Sequence, residues 1–197
     1  MYILPNFQNP GGTTLSEGRR QELVLLADRF GIPIVEDDPY GQLRYEGEHL
    51  PPLVELDRVN LRRDSGYSIG NVIYLSTFSK TLAPGLRLGW IVAPSEVISK
   101  MVQLKQGADL HTSTFAQIVA YEVAHENFMD GHIRMIRRLY GERRDAMLAA
   151  LEEFFPAEVS WTRPKGGLFL WVKLPEGMRH YVGNNGARCN RLETGSE

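Results

Sequence analysis

Tyr2-Ile3-Leu4, Thr14-Leu15-Ser16-Glu17 and Ile32-Pro33-Ile34-Val35-Glu36-Asp37-Asp38 together decide the fold. Tyr2-Ile3-Leu4 reads as the end of a buried strand, stopped by Pro5. Asn6-Phe7-Gln8-Asn9-Pro10-Gly11-Gly12 is a loop of turn residues. Thr14 with Glu17 three residues on has capping-box spacing and predicts a helix, with Gly31 at its end. That helix is expected to place Leu23, Leu26, Ala27 and Phe30 on one face. The apolar run 32–35 is then a second strand ending in three carboxylates. Strand, helix and strand within about 35 residues make a parallel βαβ unit, because parallel neighbours need a crossover.

Working outward, Val72-Ile73-Tyr74-Leu75 is a third strand leading into Ser76-Thr77-Phe78-Ser79-Lys80, and Leu88-Gly89-Trp90-Ile91-Val92 follows a Pro84-Gly85 turn. Residues 46–70 are polar and aperiodic and are expected as a surface excursion without a core element. Helices are predicted over about 95–106, with Ser95 as N-cap, and over about 114–127 and 131–154. The last carries Ile133, Ile136, Tyr140, Met147 and Leu151 at helical spacing. Trp161 and Leu168-Phe169-Leu170-Trp171-Val172 read as strands around a Gly166-Gly167 turn. The change from alternating β/α to helix and hairpin predicts a second, smaller domain. Residues 179–197 lack apolar periodicity and read as a disordered tail, and both ends look cut.

With 43% hydrophobic and 23% charged residues the composition is that of a globular protein. A net charge of −2 gives no general attraction to nucleic acid or anionic membrane. No apolar stretch approaches the roughly 20 residues of a membrane span, and Met1-Tyr2-Ile3-Leu4-Pro5 is not a signal peptide. One cysteine, Cys189, excludes an internal disulfide and fits a reducing compartment, so a cytoplasmic location is expected.

In open α/β sheets ligands sit beyond the carboxyl ends of the parallel strands. Asn9, Asp37 and Lys80 follow or end the three strands and meet at one site if those strands share a sheet. A lysine in a partly desolvated site loses its proton readily and can form a Schiff base with an aldehyde; read alone, Lys80 is more simply a solvated surface lysine, and its neighbours favour the former. Arg87, beyond the Pro84-Gly85 turn, has the guanidinium geometry to grip a phosphate that Thr77 also contacts. A carboxylate at a strand end needs a cationic or hydrogen-bonding partner; for Asp37 a protonated pyridine nitrogen qualifies, and so does a simple loop-turn role. Tyr40 lies in the same loop, within reach of a ring oxygen. Asp109-Leu110-His111-Thr112-Ser113 is explained by helix capping through Thr112 or Ser113. The aromatic residues near 161–171 read as core.

Three segments carry a resemblance: Asn9-Pro10-Gly11-Gly12, Glu36-Asp37-Asp38-Pro39-Tyr40, and Ser79-Lys80-Thr81-Leu82-Ala83-Pro84-Gly85-Leu86-Arg87-Leu88-Gly89-Trp90. In order and chemistry they resemble the class I/II aminotransferases of pyridoxal-5′-phosphate (PLP) fold type I. Most similar are the α-aminoadipate and kynurenine-type aminotransferases and the aminotransferase-like domain of GntR-type regulators. The resemblance runs from about Tyr2 to about Gly177. It implies an α/β fold, with a mostly parallel large-domain sheet and helices on both faces, partial here, followed by the start of a small α+β domain. Residues 1–130 would be the partial PLP-binding large domain, 131–178 the long connecting helix and start of the small domain, and 179–197 a non-family tail.

Carried over by position, the resemblance makes Lys80 the Schiff-base lysine and proton shuttle and pairs Asp37 with the pyridine nitrogen. Asn9 and Tyr40 would bond the ring's phenolic oxygen, and Thr77 and Arg87 would hold the phosphate. Thr77 stands where the family usually has Ser, and Gly11 where it has Thr. The family's phosphate loop, stacking aromatic residue and substrate-carboxylate arginine have no counterparts here, and the insertion at 57–70 has no assigned role. The implied activity is PLP-dependent amino-group transfer between an amino acid and a 2-oxo acid, in a homodimer. The alternatives are a PLP-binding effector domain of a transcription regulator, which would need a DNA-binding segment elsewhere, and an inactive truncated fragment. A carbon–sulfur lyase or decarboxylase could share the same residues.

Overall fold

The computed structural model describes residues 1–64, 70–125, 128–175, 179–181 and 191–193. Strands β1 (Tyr2–Ile3), β2 (Ile34–Asp37), β3 (Val72–Thr77) and β4 (Gly89–Val92) form one sheet in that order. The first three are parallel, with Ile3 opposite Glu36 and Asp37 opposite Leu75. β4 runs antiparallel to β3, with Gly89 opposite Thr77. The carboxyl ends of β1, β2 and β3 therefore share one edge of the sheet, as the βαβ reading requires.

Helix α1 (Glu17–Arg29) joins β1 to β2. Its N-cap is Ser16, with no side-chain capping bond. Thr14 does not cap it: the Thr14 hydroxyl instead accepts from the Phe7 backbone N–H at 3.1 Å and ties the loop to the strand exit. The inward face also differs from expectation. Arg20, Val24 and Ala27 are buried, whereas Leu26 and Phe30 are exposed. Arg20, wholly enclosed, turns the helix by occupying a place that periodicity reserves for an apolar side chain.

Residues 46–70 correct the expectation of a featureless excursion. Leu53–Asp64 form helix α2. Leu53 is fully buried with Val24, Ala27, Ile34 and Val72 in the core on one face of the sheet. The carboxylate of Glu36 on β2 accepts from the backbone N–H groups of Leu53 (2.9 Å) and Val54 (3.0 Å), satisfying the open donors of the first turn. Asp57 in turn accepts from the Val72 N–H at 3.1 Å, fixing the entry to β3. Of the 57–70 insertion, residues 65–69 lie outside the described residues.

Helices α3 (Ser95–Ala108), α4 (Thr114–Ala124) and α5 (Phe128–Phe154) lie close to their predicted spans. Pro94, not Ser95, is the N-cap of α3, and the Ser113 hydroxyl caps α4 by accepting from Ala116. Along α5, Leu151 is buried and Ile133, Ile136 and Tyr140 are half-buried, but Met147 is exposed; Gly141 and Leu148 complete the inward side. Strands β5 (Ser160–Trp161) and β6 (Val172–Lys173) pair antiparallel, leaving residues 168–171 outside the ladder. Gly166 and Gly167 are required by close packing. A Cβ on Gly166 would lie 2.4 Å from the Leu43 carbonyl oxygen, and one on Gly167, at φ +77°, 2.4 Å from the Phe7 side chain. Of residues 179–197, Arg179–Tyr181 (β7) and Arg191–Glu193 (β8) form an antiparallel pair, and the remainder lies outside the described residues.

Candidate active site

The carboxyl edge of the sheet is held by side chains that the sequence reading passed over. Asp38, one residue beyond β2, is the hub. Its Oδ1 accepts from Asn6 Nδ2 at 3.0 Å and from the Gly41 N–H at 2.9 Å. Its Oδ2 accepts from the Tyr74 hydroxyl at 3.4 Å, and its backbone carbonyl from the Ser76 hydroxyl at 2.9 Å. One residue thus links the exits of β1, β2 and β3. Burial, followed by the Asp38 charge, pushes the Tyr74 phenol up to about 12.

Arg20 supports the hub from below. It donates to Asn6 Oδ1 at 2.6 Å and to the carbonyls of Pro5, Leu15 and Pro51 at 3.1, 2.9 and 3.0 Å. An enclosed guanidinium needs acceptors for all its nitrogens, and three backbone segments converge to provide them. Burial lowers its pKa, an effect opposed by the charges of Glu36 and Asp38.

On this base the six predicted residues fall into two adjacent groups. Asp37 is the last residue of β2, half-buried, and Tyr40 is buried in the following turn. Burial pushes the Tyr40 phenol up, a hydrogen bond from Asn9 pulls it back, and the Asp37 charge adds to the rise. Asn9, Asp37 and Tyr40 are therefore neighbours. The Phe169 ring meets Tyr40 edge-on at 5.6 Å, so an aromatic residue read as core is half-buried beside this group.

Thr77, Lys80 and Arg87 lie in the connection from β3 to β4. Backbone N–H groups of Leu82 (2.8 Å) and Ala83 (3.1 Å) donate to the Phe78 carbonyl and close the turn that carries Lys80. Phe78, Leu82 and Leu86 anchor it on Leu88, Ala116 and Ala120, reaching helix α4. Lys80 is half-buried, and its ammonium has no hydrogen bond or ion pair among the described residues. The Thr77 hydroxyl donates to the Leu88 carbonyl at 2.8 Å and accepts from the Ser79 N–H at 3.0 Å. Arg87 has left-handed backbone (φ +53°) and an exposed guanidinium, of which one nitrogen donates to the Pro84 carbonyl at 3.1 Å.

This donor set suits a phosphorylated pyridine aldehyde. A lysine with no partner among the described residues is open to an aldehyde, a strand-end carboxylate to a ring nitrogen, an amide and a phenol to a ring oxygen, and an exposed guanidinium to a phosphate. Tyr2 is a further residue at this edge that sequence reasoning missed: its hydroxyl donates to Asp37 Oδ2. Strand periodicity marks it as a β1 residue and says nothing about what its hydroxyl reaches.

Residues 1–183 match the aminotransferase class I and II family. The chain is 48% identical over 178 residues to an aromatic-amino-acid aminotransferase of Thermococcus litoralis, covering 90% of this chain and 40% of that protein. It superimposes with a TM-score of 0.82 on the α-aminoadipate aminotransferase LysN of Thermus thermophilus, solved with N-(5′-phosphopyridoxyl)-L-leucine; identity is 42%, and 94% of this chain and 44% of that one are covered. A helix-turn-helix transcriptional regulator of Bacillus subtilis, YisV, is 37% identical over 172 residues, 87% of this chain and 34% of the regulator. The chain spans about two fifths of the length of the aminotransferases it matches. Three parallel strands with their exits clamped together, a lysine beyond the third that is unpaired among the described residues, and a match over residues 1–183 lead to one assignment: this chain belongs to the aminotransferase class I and II family.

Proposed function

We propose that this chain forms the cofactor-binding part of a PLP-dependent aminotransferase that moves an amino group between an amino acid and a 2-oxo acid. The observation that carries the reading is the amine of Lys80, unpartnered among the described residues and one strand over from Asp37 at a shared sheet edge. When bound, the cofactor supplies an aldehyde for a lysine amine and a ring that accepts an electron pair from the substrate. Lys80 would hold it covalently and carry a proton to and from the substrate Cα. The Asp37 carboxylate would favour a protonated ring nitrogen, and Asn9 and Tyr40 would bond the ring oxygen. Arg87 and Thr77 would hold the phosphate, Arg87 through the nitrogens not committed to Pro84 and Thr77 by turning its hydroxyl from Leu88.

The same reading divides the chain into a large-domain part at 1–130 and a connecting helix with the start of a small domain at 131–178. Arg137 donates to the Gln42 carbonyl at 2.6 Å and Arg144 pairs with Glu46 at 2.5 Å, so α5 leans on the loop after Tyr40. Exposed Leu104, Phe115 and Tyr121 on α3 and α4 favour a homodimer. Among the described residues no helix is long and apolar enough to cross a membrane; with the single cysteine, this supports a cytoplasmic setting.

The similarity to YisV favours one second reading, a PLP-binding effector domain without turnover. Incubating the PLP-loaded protein with a panel of L-amino acids and 2-oxoglutarate separates the two. New 2-oxo acid that disappears in Lys80→Ala is the aminotransferase result. Retained PLP with no product from any donor is the effector-domain result and contradicts the proposal.

A further inference from the structure

Tyr2 has a role that strand formation does not require. It lies on β1 opposite Val35, and its hydroxyl reaches along β2 to donate to Asp37 Oδ2 at 2.5 Å while the residue stays 60% exposed. A tyrosine that stays largely exposed and commits its hydroxyl is held by the hydrogen bond more than by apolar burial. Among the described residues no other side chain donates to Asp37. The hydrogen bond and the Asp37 charge hold the Tyr2 phenol at about 12, so it remains a donor throughout the neutral range.

Resting on the proposed function, we infer that Tyr2 is the positioning residue of the cofactor carboxylate: it holds Asp37 Oδ2 and thereby fixes which oxygen, Oδ1, is left for the ring nitrogen. A carboxylate at a strand end turns about its last side-chain bond, and an oriented donor on one oxygen restricts that rotation before any ligand arrives. Among the described residues Tyr2 hydrogen-bonds neither the lysine nor the phosphate-binding side chains. Its hydrogen bond into the site is to Asp37, with the Tyr40 phenol a weaker electrostatic neighbour.

The test measures PLP affinity, borohydride-fixed PLP and the 15N signal of ring-labelled PLP in four proteins: wild type, Tyr2→Phe, Asp37→Asn and the double variant. Phe keeps the exposed ring and removes only the donor. In the expected result wild type fixes PLP on Lys80 and Tyr2→Phe binds it roughly three- to tenfold more weakly, the scale of one ordinary net hydrogen bond, because the lost donor acts on the ring only through Asp37. The ring-nitrogen signal moves toward its unprotonated value, and Tyr2→Phe has no further effect on Asp37→Asn. Affinity within twofold of wild type with an unmoved 15N signal overturns the inference and leaves the proposed function standing. Equal losses in both backgrounds also overturn it, because Tyr2 then acts on the fold and not through Asp37. Failure of wild type to fix any PLP overturns the proposed function, and this inference with it.

Discussion

The two polar regions at the carboxyl edge of the sheet are built on opposite principles. Around Glu36, Asp38, Asn6 and Arg20 the charged and polar groups are buried or half-buried and matched to partners, with four acceptors around one guanidinium and two backbone donors on one carboxylate. Around Lys80 and Arg87 the cations are half-buried or exposed; among the described residues Lys80 has no partner, and Arg87 has a single backbone carbonyl. Enclosed polar groups stabilise only when fully satisfied, so the first region is scaffold. Side chains kept unsatisfied near the surface cost little and leave donors for a ligand, so the second is where binding is expected. Substitutions in the two regions should separate stability from cofactor capture.

The largest expected effect is in the scaffold. Arg20→Met removes the guanidinium from Asn6 Oδ1 and from the carbonyls of Leu15 and Pro51, while Pro5 keeps its bond from the Leu15 N–H, and should cost about 3–5 kcal/mol, by analogy with removing one partner from a buried charged network. Urea unfolding checks it; a loss under about 1 kcal/mol would mean that water replaces the guanidinium freely. Leu53→Ala should follow at about 2–4 kcal/mol through the cavity it opens among Val24, Ile34 and Val72, read by the same titration.

Glu36 gives the scaffold a pH dependence of definite sign. Burial pushes its carboxyl up to about 7, against the pull of the Leu53 and Val54 N–H groups. Because the folded pKa lies above the unfolded one, the folded state binds the extra proton between roughly pH 4.5 and pH 7. The contribution of this group is thus fully present below the unfolded value and is lost as pH rises to about 7, by roughly 2–3 kcal/mol. Urea midpoints measured across that window should fall more steeply in wild type than in Glu36→Gln. Equal slopes would show that the two N–H bonds keep Glu36 ionised in both states.

The smallest stability effect is expected in the region of Lys80. Lys80→Ala should change unfolding free energy by no more than about 0.5 kcal/mol, since no partner is lost among the described residues. A loss of several kcal/mol would place Lys80 in the scaffold and erase the distinction between the regions.

The same contrast explains what could be read from the chain alone. Lys80, Arg87 and Thr77 are close in sequence, and Asp37 and Asn9 end or follow strands with apolar runs, so local pattern brings them to the sheet edge, while the roles proposed for them come from the resemblance. Helix α2 escapes local pattern because its N-terminal cap comes from Glu36, seventeen residues away, and its sequence is largely polar. The inward face of α1 differs from expectation because Arg20 enters the core, where periodicity counts only apolar residues. Asp38 and Tyr2 act through partners on other strands, and nothing in their immediate neighbours announces those contacts. Thr14 fails as a cap for a related reason: its hydroxyl serves the strand-exit loop at Phe7.

The most direct test of the central claim is peptide mapping by mass spectrometry after PLP incubation and borohydride reduction. The account predicts one phosphopyridoxyl adduct, on Lys80, absent from Lys80→Ala while that variant stays folded. An adduct spread over Lys100, Lys105 and Lys165, or retained in Lys80→Ala, would contradict it.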